Sequence, residues 1–461
     1  MSRKMFFFLD EESSPIVQRY ESYLSGSEKG YFDVEEFEQI VEYYLRHGRT
    51  NDGYKAVELG LKLHPNSSML QIKHAKICLA DSEYDKANRL LTSLVDTNDI
   101  EVGLLKIEAS LHLGLTEEAD NLAKNLIREN RGYSENIFVE IALLYISANE
   151  FEKALSFLKK GDKINKENTD LLFEMAICYE QLRDLKQAIE TYNRIIDIDA
   201  YTSEAWFNLA QIRFSQEKYR QALEAYNFAL AIDPDDSLAC VQKAHTLFQL
   251  EQYTEALESY KEYEELTGDK WANINWVAES YEKLGEYENA IKHYRDSILQ
   301  NGLSYDTLCG IAFCLLELGL FGESFYYIEK AIELNEEIAE AWVYLGEAYL
   351  GTNDIENALI AYLKAVTIDP EQPETLMAIA NICMEIAEYE IAMQYYYAAL
   401  EINDAVSDNT HLLIAIAAYS TANEDIAAAE LKKAMDENLD STKLFLEIYP
   451  EAGHFIQNLD Y

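Results

Sequence analysis

The histidines are the residues of this 461-residue sequence whose types could most directly bind a metal ion. A zinc site of the common kind draws His and Cys ligands from short, regular spacings. The eight histidines never form a pair of ligands at helical spacing, so a metal site would have to assemble from distant parts of the chain. We therefore predict no metal ligands and no cofactor.

The short motifs that mark common enzyme classes are also absent from the sequence. It contains no glycine-rich phosphate loop, no HExxH zinc pattern, no GxSxG nucleophile elbow and no dinucleotide-binding fingerprint. Adjacent carboxylates such as Glu264 and Glu265 are expected by chance among 83 acidic residues, and they indicate a hydrated surface. We predict no catalytic residues and no enzymatic activity for this chain.

The cysteines and the N-terminal residues predict the cellular compartment. The six cysteines lie in predicted helices and never form a CxxC pair, which is typical of small buried side chains in a reducing compartment. Met5 to Leu9 gives five apolar residues before Asp10, whereas the core of a signal peptide needs about 7–15. No stretch approaches the roughly 20 apolar residues of a membrane span. The sequence therefore predicts a cytoplasmic protein that does not enter a membrane.

The elements that must position any binding residues are clearest in residues 203–236. Apolar residues recur there at helical spacing up to Phe214, stop around Glu217, and resume from Tyr219 to Ala229. This spacing predicts two antiparallel helices joined by a tight turn. One such pair cannot bury its own apolar faces, so it must stack on a neighbouring pair.

Small residues allow the two predicted helices to approach each other closely. Ala210 on the first helix and Ala222 on the second take the place of larger residues that would hold the axes apart. Pro234 cannot continue the second helix. Both small residues recur about every 34 residues. The first column reads Val41, Ala75, Ala142, Ala176, Ala210, Ala244, Ala278, Ala312, Gly346, Ala380 and Ala415, and the second reads Gly53, Ala87, Ala119, Ala154, Ala188, Ala222, Ala256, Ala290, Ser324, Ala358, Ala392 and Ala427.

The pattern W-x2-L-A, then A-x3-Y-x2-A and a closing proline, resembles the tetratricopeptide repeat. The resemblance covers nearly the whole chain, in about twelve repeats. It implies an all-α fold, an α-α superhelix or solenoid of helical hairpins with N- and C-terminal capping helices. HEAT and armadillo units are longer, at roughly 40–47 residues, and the T-P-L-H motif of ankyrin repeats is absent.

The repeat period predicts three parts of the chain. Residues 1–33 are expected to form an N-terminal capping segment, residues 34–441 the solenoid, and residues 442–461 the C-terminal capping helices. The third unit is the weakest, because Ile107 replaces the small residue and the phase slips by about one position. The units lie near 34–67, 68–101, 100–134, 135–168, 169–202, 203–236, 237–270, 271–304, 305–338, 339–372, 373–406 and 408–441.

The net charge limits the possible partners. With 38 basic and 83 acidic residues, the chain carries a formal charge of −45, which argues against a nucleic acid or an anionic membrane as ligand. Residues 1–200 hold 24 basic and 36 acidic residues, whereas residues 201–461 hold 14 and 47. A basic or amphipathic protein segment is therefore the expected partner, although a hydrated acidic surface alone would also explain the charge.

The resemblance to the tetratricopeptide repeat implies that the first helix of each unit lines a concave groove. The positions of Phe207, Gln211 and Phe214 would point into it, and an apolar groove with sparse polar groups suits an extended segment or an amphipathic helix. These side chains could instead pack between successive first helices. The predicted groove residues are Phe173, Ile177, Phe207, Gln211, Phe214, Val241, His245, Phe248, Asn275, Glu279, Phe313, Val343, Glu347, Met377 and Asn381.

The sequence leaves more than one function open. We expect a non-catalytic scaffold that binds a protein segment in the groove; the alternative is a regulatory or substrate-recruiting subunit whose enzyme is a separate chain. Self-assembly through the caps is a third hypothesis, with a monomer favoured. Chaperone-binding members of the family hold a carboxylate with basic groove residues, but in four compared pairs of groove positions only Lys76 is basic, so that activity is not expected.

Overall fold

The structure, a computed structural model, describes residues 15–27, 30–94, 99–130, 135–403, 406, 409–438 and 440–457. The apolar N-terminal segment considered above as a signal sequence, Met5 to Leu9, lies outside the described residues. Within these ranges every regular element is a helix, and no strand occurs. The predicted all-α fold is confirmed.

The helices are paired as hairpins, in which an even-numbered first helix is followed by an odd-numbered second helix, from α2–α3 to α24–α25. The bounds are α1 Pro15–Leu24, α2 Val34–Arg46, α3 Thr50–Leu63, α4 Ser68–Ala80, α5 Tyr84–Ser93, α6 Ile100–His112, α7 Thr116–Glu129, α8 Asn136–Ser147, α9 Phe151–Asp162, α10 Thr169–Gln181, α11 Leu185–Ile198, α12 Ser203–Ser215, α13 Tyr219–Ile232, α14 Ser237–Gln249, α15 Tyr253–Thr267, α16 Ile274–Lys283, α17 Tyr287–Asn301, α18 Tyr305–Glu317, α19 Phe321–Leu334, α20 Ala339–Gly351, α21 Ile355–Ile368, α22 Pro373–Glu385, α23 Tyr389–Ile402, α24 Thr410–Ser420, α25 Glu424–Glu437, α26 Ser441–Ile448 and α27 Gly453–Gln457, with a short 3-10 helix at Pro450–Ala452.

One residue with left-handed backbone geometry forms the turn inside each hairpin. Between α12 and α13 this residue is Glu217, with a φ of 59°. Its N–H donates to the Phe214 carbonyl at 2.8 Å, and the Lys218 N–H donates to the Arg213 carbonyl at 3.0 Å. These two bonds satisfy carbonyls that the helix end would leave unpaired. The same geometry recurs at intervals of 34 residues, at Asn149, Arg183, Glu217, Glu251, Gly285, Gly319, Asn353 and Ala387.

The small residues lie where the two helices of a hairpin meet. Ala210 and Ala222 are fully buried and pack with Tyr226. Gly346 of α20 belongs to the same column as Ala210, and a Cβ added there would lie 2.7 Å from the ring of Tyr362. A larger side chain in this column would therefore have to displace an aromatic ring.

In the third hairpin, α6–α7, the two helices approach each other at a different position. Ile107, which stands where a small residue was expected, is fully buried. The close approach occurs instead at Gly103, where an added Cβ would lie 2.6 Å from a methyl carbon of Leu126. The point of closest approach has thus moved one helical turn toward the start of α6, which compensates for the bulk of Ile107.

The chain divides into two compact units, Met1–Pro234 and Asp235–Tyr461. In the first unit, an extended core runs through α6 to α12 and includes the fully buried Tyr145 and Tyr192. In the second unit, the last hairpin is covered by α26, whose Phe445 is fully buried against Tyr419, at 5.4 Å between ring centroids. Stacked hairpins and a covered end are what a repeat fold needs to bury its apolar surface.

Candidate binding face

Within each unit, first helices of successive hairpins pack against one another. In the first unit, contacts join α2 to α4, α4 to α6, α6 to α8 and α8 to α10; in the second, they join α16 to α18 and α18 to α20. No two second helices pack together to this extent in the part of the chain that the structure describes. The first helices therefore line one side of the stack in each unit, and we call their outward surface the first-helix face.

In the first unit, the first-helix face of α10 and α12 carries partly exposed apolar side chains beside a polar one. Phe173, Ile177, Phe207 and Phe214 are half-buried, whereas Gln211 is exposed. The Phe207 ring lies 5.8 Å from that of Tyr226 and the Phe214 ring 5.3 Å from that of Tyr219 (centroid distances), both in edge-to-face contact. Each ring is held by its own hairpin and keeps some surface open to a partner.

In the second unit, the face begins at α14 with a histidine packed among aromatic rings. His245 Nδ1 lies 2.8 Å from the Tyr260 hydroxyl, and the His245 ring lies 4.9 Å from Trp276. Phe248 packs edge-to-face on Trp276 at 5.1 Å. Burial lowers the pKa of His245, because the charged imidazolium would lose its hydration. This part of the face is therefore neutral and aromatic at pH 7.

A cavity of about 550 Å³ opens on the first-helix face between α16, α18 and α20. It brings together three of the predicted groove residues, Asn275, Glu279 and Phe313. The other lining residues were not predicted from the sequence: Trp276, Glu282, Lys283, Tyr294, Asp306, Thr307, Cys309, Gly310, Glu340 and Tyr344.

Gly310 lines this cavity, but the space beside its Cα is not empty. Trp276, Gly310 and Tyr344 follow one another at 34-residue spacing on α16, α18 and α20. The glycine is buried, and a Cβ added to it would lie 2.5 Å from the Tyr294 ring of α17, so that ring already occupies the place of a side chain. The glycine between two aromatic residues at the repeat spacing was the signal in the sequence for this close approach of Tyr294.

Two carboxylates of this cavity, Glu279 and Glu282, interact electrostatically. Glu282 accepts a hydrogen bond from the Tyr294 hydroxyl at 2.8 Å and lies 3.2 Å from Lys283 Nζ. Glu279 makes no hydrogen bond or ion pair with any described residue, and its pKa is raised, first by burial and then by the charge of Glu282, whereas the charge of Lys283 lowers it. The cavity thus holds a half-buried carboxylate whose charge the protein balances only in part.

Three further predicted residues extend the face along α20 and α22. Val343 is half-buried, and Glu347 keeps exposed surface while its carboxylate is partly desolvated, so its pKa is raised, first by this desolvation and then by the charge of Glu317. Asn381 is exposed on α22, and its side-chain oxygen accepts a hydrogen bond from the Tyr396 hydroxyl at 2.7 Å. Carboxylate and amide groups therefore alternate with apolar ones along this face.

Two predicted groove residues belong to the core instead. Val241 and Met377 are each only 8% exposed, and Met377 packs in the apolar cluster that includes Ile379 and Tyr396. Both occupy the repeat position of Phe207, and the Thr410 hydroxyl of the following hairpin lies 3.8 Å from the Met377 sulfur. The prediction that these two side chains line an open groove is corrected by their burial.

Other chemistry is not assembled by the described residues. In the described ranges, no three His, Cys, Asp or Glu side chains converge as a metal site, and no helix is long and apolar enough to cross a membrane. Burial raises the pKa of Cys309 and Cys314 to about 12, so both thiols are protonated at pH 7.

The chain belongs to the tetratricopeptide repeat family. Profiles of this family together match more than half of the chain, and the described hairpins have the arrangement that the repeat pattern predicts. The matched residues are 145–212, 203–236, 238–270, 274–301, 315–373 and 373–405.

Relatives share only parts of their length with this chain. The BBSome complex member BBS4 of Bos taurus is 25% identical over 123 residues, which are 27% of this chain and 24% of that protein. The formate-dependent nitrite reductase complex subunit NrfG of Escherichia coli O157:H7 is 31% identical over 116 residues, 24% of this chain and 57% of that protein. The chain spans about a quarter or less of the length of the first curated relatives that it matches.

Solved structures of similar fold include the APC/C hetero-tetramer Cut9-Hcn1. The match covers 94% of this chain and 98% of that chain, at 13% identity and a TM-score of 0.43. A structure titled YrrB, a TPR protein with an unusual peptide-binding site, covers 41% of this chain and 98% of that chain, at 20% identity and a TM-score of 0.36.

Proposed function

We propose that this protein is a non-catalytic, cytoplasmic scaffold that binds a segment of a partner protein on its first-helix face, without a cofactor and as a monomer. The observation that carries the proposal is the partial exposure of aromatic rings beside unshielded polar groups on that face, as at Phe207, Phe214 and Gln211 in the first unit. Partly exposed rings can pack against apolar side chains of a bound segment, and amide side chains can form hydrogen bonds with its main-chain N–H and C=O groups.

The choice of face follows from what the two kinds of helix expose. Second helices also expose aromatic rings, including Phe228 and Tyr326, which are 53% and 60% exposed. Phe228 stacks on Trp206 and Tyr326 packs on Tyr327, but these two rings lie on separate hairpins. Phe207 and Phe214 instead lie on one helix, each in edge-to-face contact with a tyrosine of the same hairpin. Two ordered rings on one helix can contact the same bound segment, and they lose little conformational entropy when it binds.

Affinity capture from the extract of the source cells tests this proposal. We expect Phe207→Ala with Phe214→Ala to lose a partner that the wild-type chain captures, as identified by mass spectrometry. The matched control is Phe228→Ala with Tyr326→Ala, which removes two aromatic rings from second helices and should leave capture unchanged. If the first pair unfolds the protein at a much lower temperature without a selective loss of binding, both rings are core residues and the proposal fails.

A second candidate function is a non-catalytic subunit of a larger assembly whose enzyme is a separate chain. Two relatives favour it, since their names describe a BBSome complex member and a nitrite reductase complex subunit. Light scattering of the purified chain and of the captured material separates the two candidates. A monomer that captures one partner supports the first, and a stable assembly of several chains with enzymatic activity supports the second.

A further inference from the structure

We infer that the cavity between α16, α18 and α20 binds the side-chain cation of an arginine or lysine in a basic segment of the partner protein. This inference rests on the proposed function, because it names the chemistry of a segment that lies along the first-helix face. The occupant follows from three features of the cavity: its aromatic walls, its excess of carboxylates over the one lysine that lines it, and the charge of the helices around it.

The walls of the cavity carry aromatic rings from three first helices. Trp276 on α16, Phe313 on α18 and Tyr344 on α20 all line it. Trp276 remains 36% exposed, and Phe313 and Tyr344 are half-buried, with 6.1 Å between their ring centroids. Aromatic faces attract a guanidinium or ammonium group through the ring quadrupole.

The carboxylates supply a negative charge that the protein leaves partly unpaired. Lys283 lies beside Glu282, and the Tyr344 hydroxyl donates to Glu340 at 3.1 Å. Glu279 and Asp306 make no hydrogen bond or ion pair with any described residue. A cation that enters the cavity would pair with these two groups and would be partly desolvated, which strengthens the attraction.

The surrounding helices favour a basic segment over a small metal ion. The first helices α14, α16, α18, α20 and α22 carry eight acidic residues and two lysines. Yet no three carboxylates in the described ranges converge at the distances that a metal ion needs. Dispersed carboxylates around aromatic rings match a large organic cation with several N–H donors, as in arginine.

The test uses a fluorescein-labelled peptide with four arginines separated by glycine and serine, and a second peptide in which citrulline replaces every arginine. Citrulline keeps the shape of arginine and removes its charge. Fluorescence anisotropy with the full chain at 150 mM NaCl should show binding of the arginine peptide and binding about tenfold weaker for the citrulline peptide. Equal affinity for the two peptides would overturn the inference.

Variants of the chain locate the site. We expect Glu279→Gln with Asp306→Asn to lower the affinity of the chain for the arginine peptide by about tenfold. The matched control, Glu288→Gln with Glu329→Gln, changes the net charge equally at exposed positions of α17 and α19 and should leave affinity within about twofold. Equal losses in both variants would show attraction to the overall charge and would overturn the inference.

Two further measurements keep the outcomes separate. A thermal melt checks that the Glu279 and Asp306 variant is folded. If it is not, the single change Glu279→Gln is used instead, and it should lower the affinity for the arginine peptide by a smaller factor. The failures of the two proposals also differ. The cavity variants could leave the affinity for the arginine peptide unchanged while the Phe207 and Phe214 changes still abolish partner capture. In that case the inference is wrong and the proposed scaffold function is still supported.

Discussion

The first-helix faces of α10–α12 and of α16–α20 use the same repeat positions for different chemistry. On α12, Phe207 and Gln211 offer a ring and an amide, and the buried Tyr226 hydroxyl has no hydrogen-bond partner in the described chain. In the hairpin α16–α17, the corresponding tyrosine, Tyr294 of α17, donates to Glu282 of α16 at the wall of a carboxylate-lined cavity. The positions between the helices of a hairpin are thus restricted by packing, and those on the face are free to differ.

The restricted positions between the two helices of a hairpin predict the largest effect on stability. Ala210→Leu places a larger side chain against Tyr226, where no space is available, and should lower the free energy of unfolding by about 1–3 kcal/mol. Gln211→Leu, one residue away on the exposed face, should change it by no more than about 0.5 kcal/mol. Chemical denaturation measures both, and similar losses for the two variants would mean that the repeat register is wrong.

The turns of the two regions predict an effect of intermediate size. The left-handed turn residue is Glu217 after α12 and Gly319 after α18. Side chains with a Cβ are disfavoured in this geometry by roughly 1–2 kcal/mol, and the conformational entropy of glycine offsets part of that. Glu217→Gly should therefore raise the melting temperature and Gly319→Ala should lower it. Shifts of the same sign in calorimetry would show that another contact controls these turns.

The carboxylate Glu279 in the cavity predicts the smallest effect on stability. Because the pKa of Glu279 is raised in the folded protein, its ionised form costs stability at any pH above that pKa, and the cost disappears once the pH falls below its unfolded value. Glu279→Gln should therefore have a higher melting temperature than wild type at pH 8, with the difference shrinking toward pH 4. Glu288→Gln is the exposed control. A difference that grows on acidification would contradict the assigned cause of the shift.

The repeat architecture could be predicted from the sequence because it depends on local spacing. Ala210 and Ala222 mark the hairpin interface, and the break at Glu217 marks the turn, and all three lie where the 34-residue pattern predicts. The shift of close packing from Ile107 to Gly103 was not predicted, because it depends on how far Leu126 reaches from the other helix. Local pattern specifies the helices, and side-chain volumes across helices specify how they fit.

The candidate site was predicted only in part. Asn275, Glu279 and Phe313 were found from their repeat positions, but the cavity depends on how side chains of three successive hairpins that lie far apart in sequence fit around it. Val241 and Met377 were placed on the face because their positions match that of Phe207, yet both are buried, and Met377 lies against Thr410 of the following hairpin. Whether a face position is open depends on the surrounding side chains, which the pattern of a single repeat does not reveal.

The cavity between α16, α18 and α20 also bears on how a bound segment would be aligned. A surface made of equivalent hairpins offers an extended chain several registers, each displaced by one repeat, and a ligand that slides among them has no defined position. A recess with its own chemistry would remove that degeneracy, because only one alignment would place a long cationic side chain in it. The cavity would then act as a fixed origin along a periodic surface.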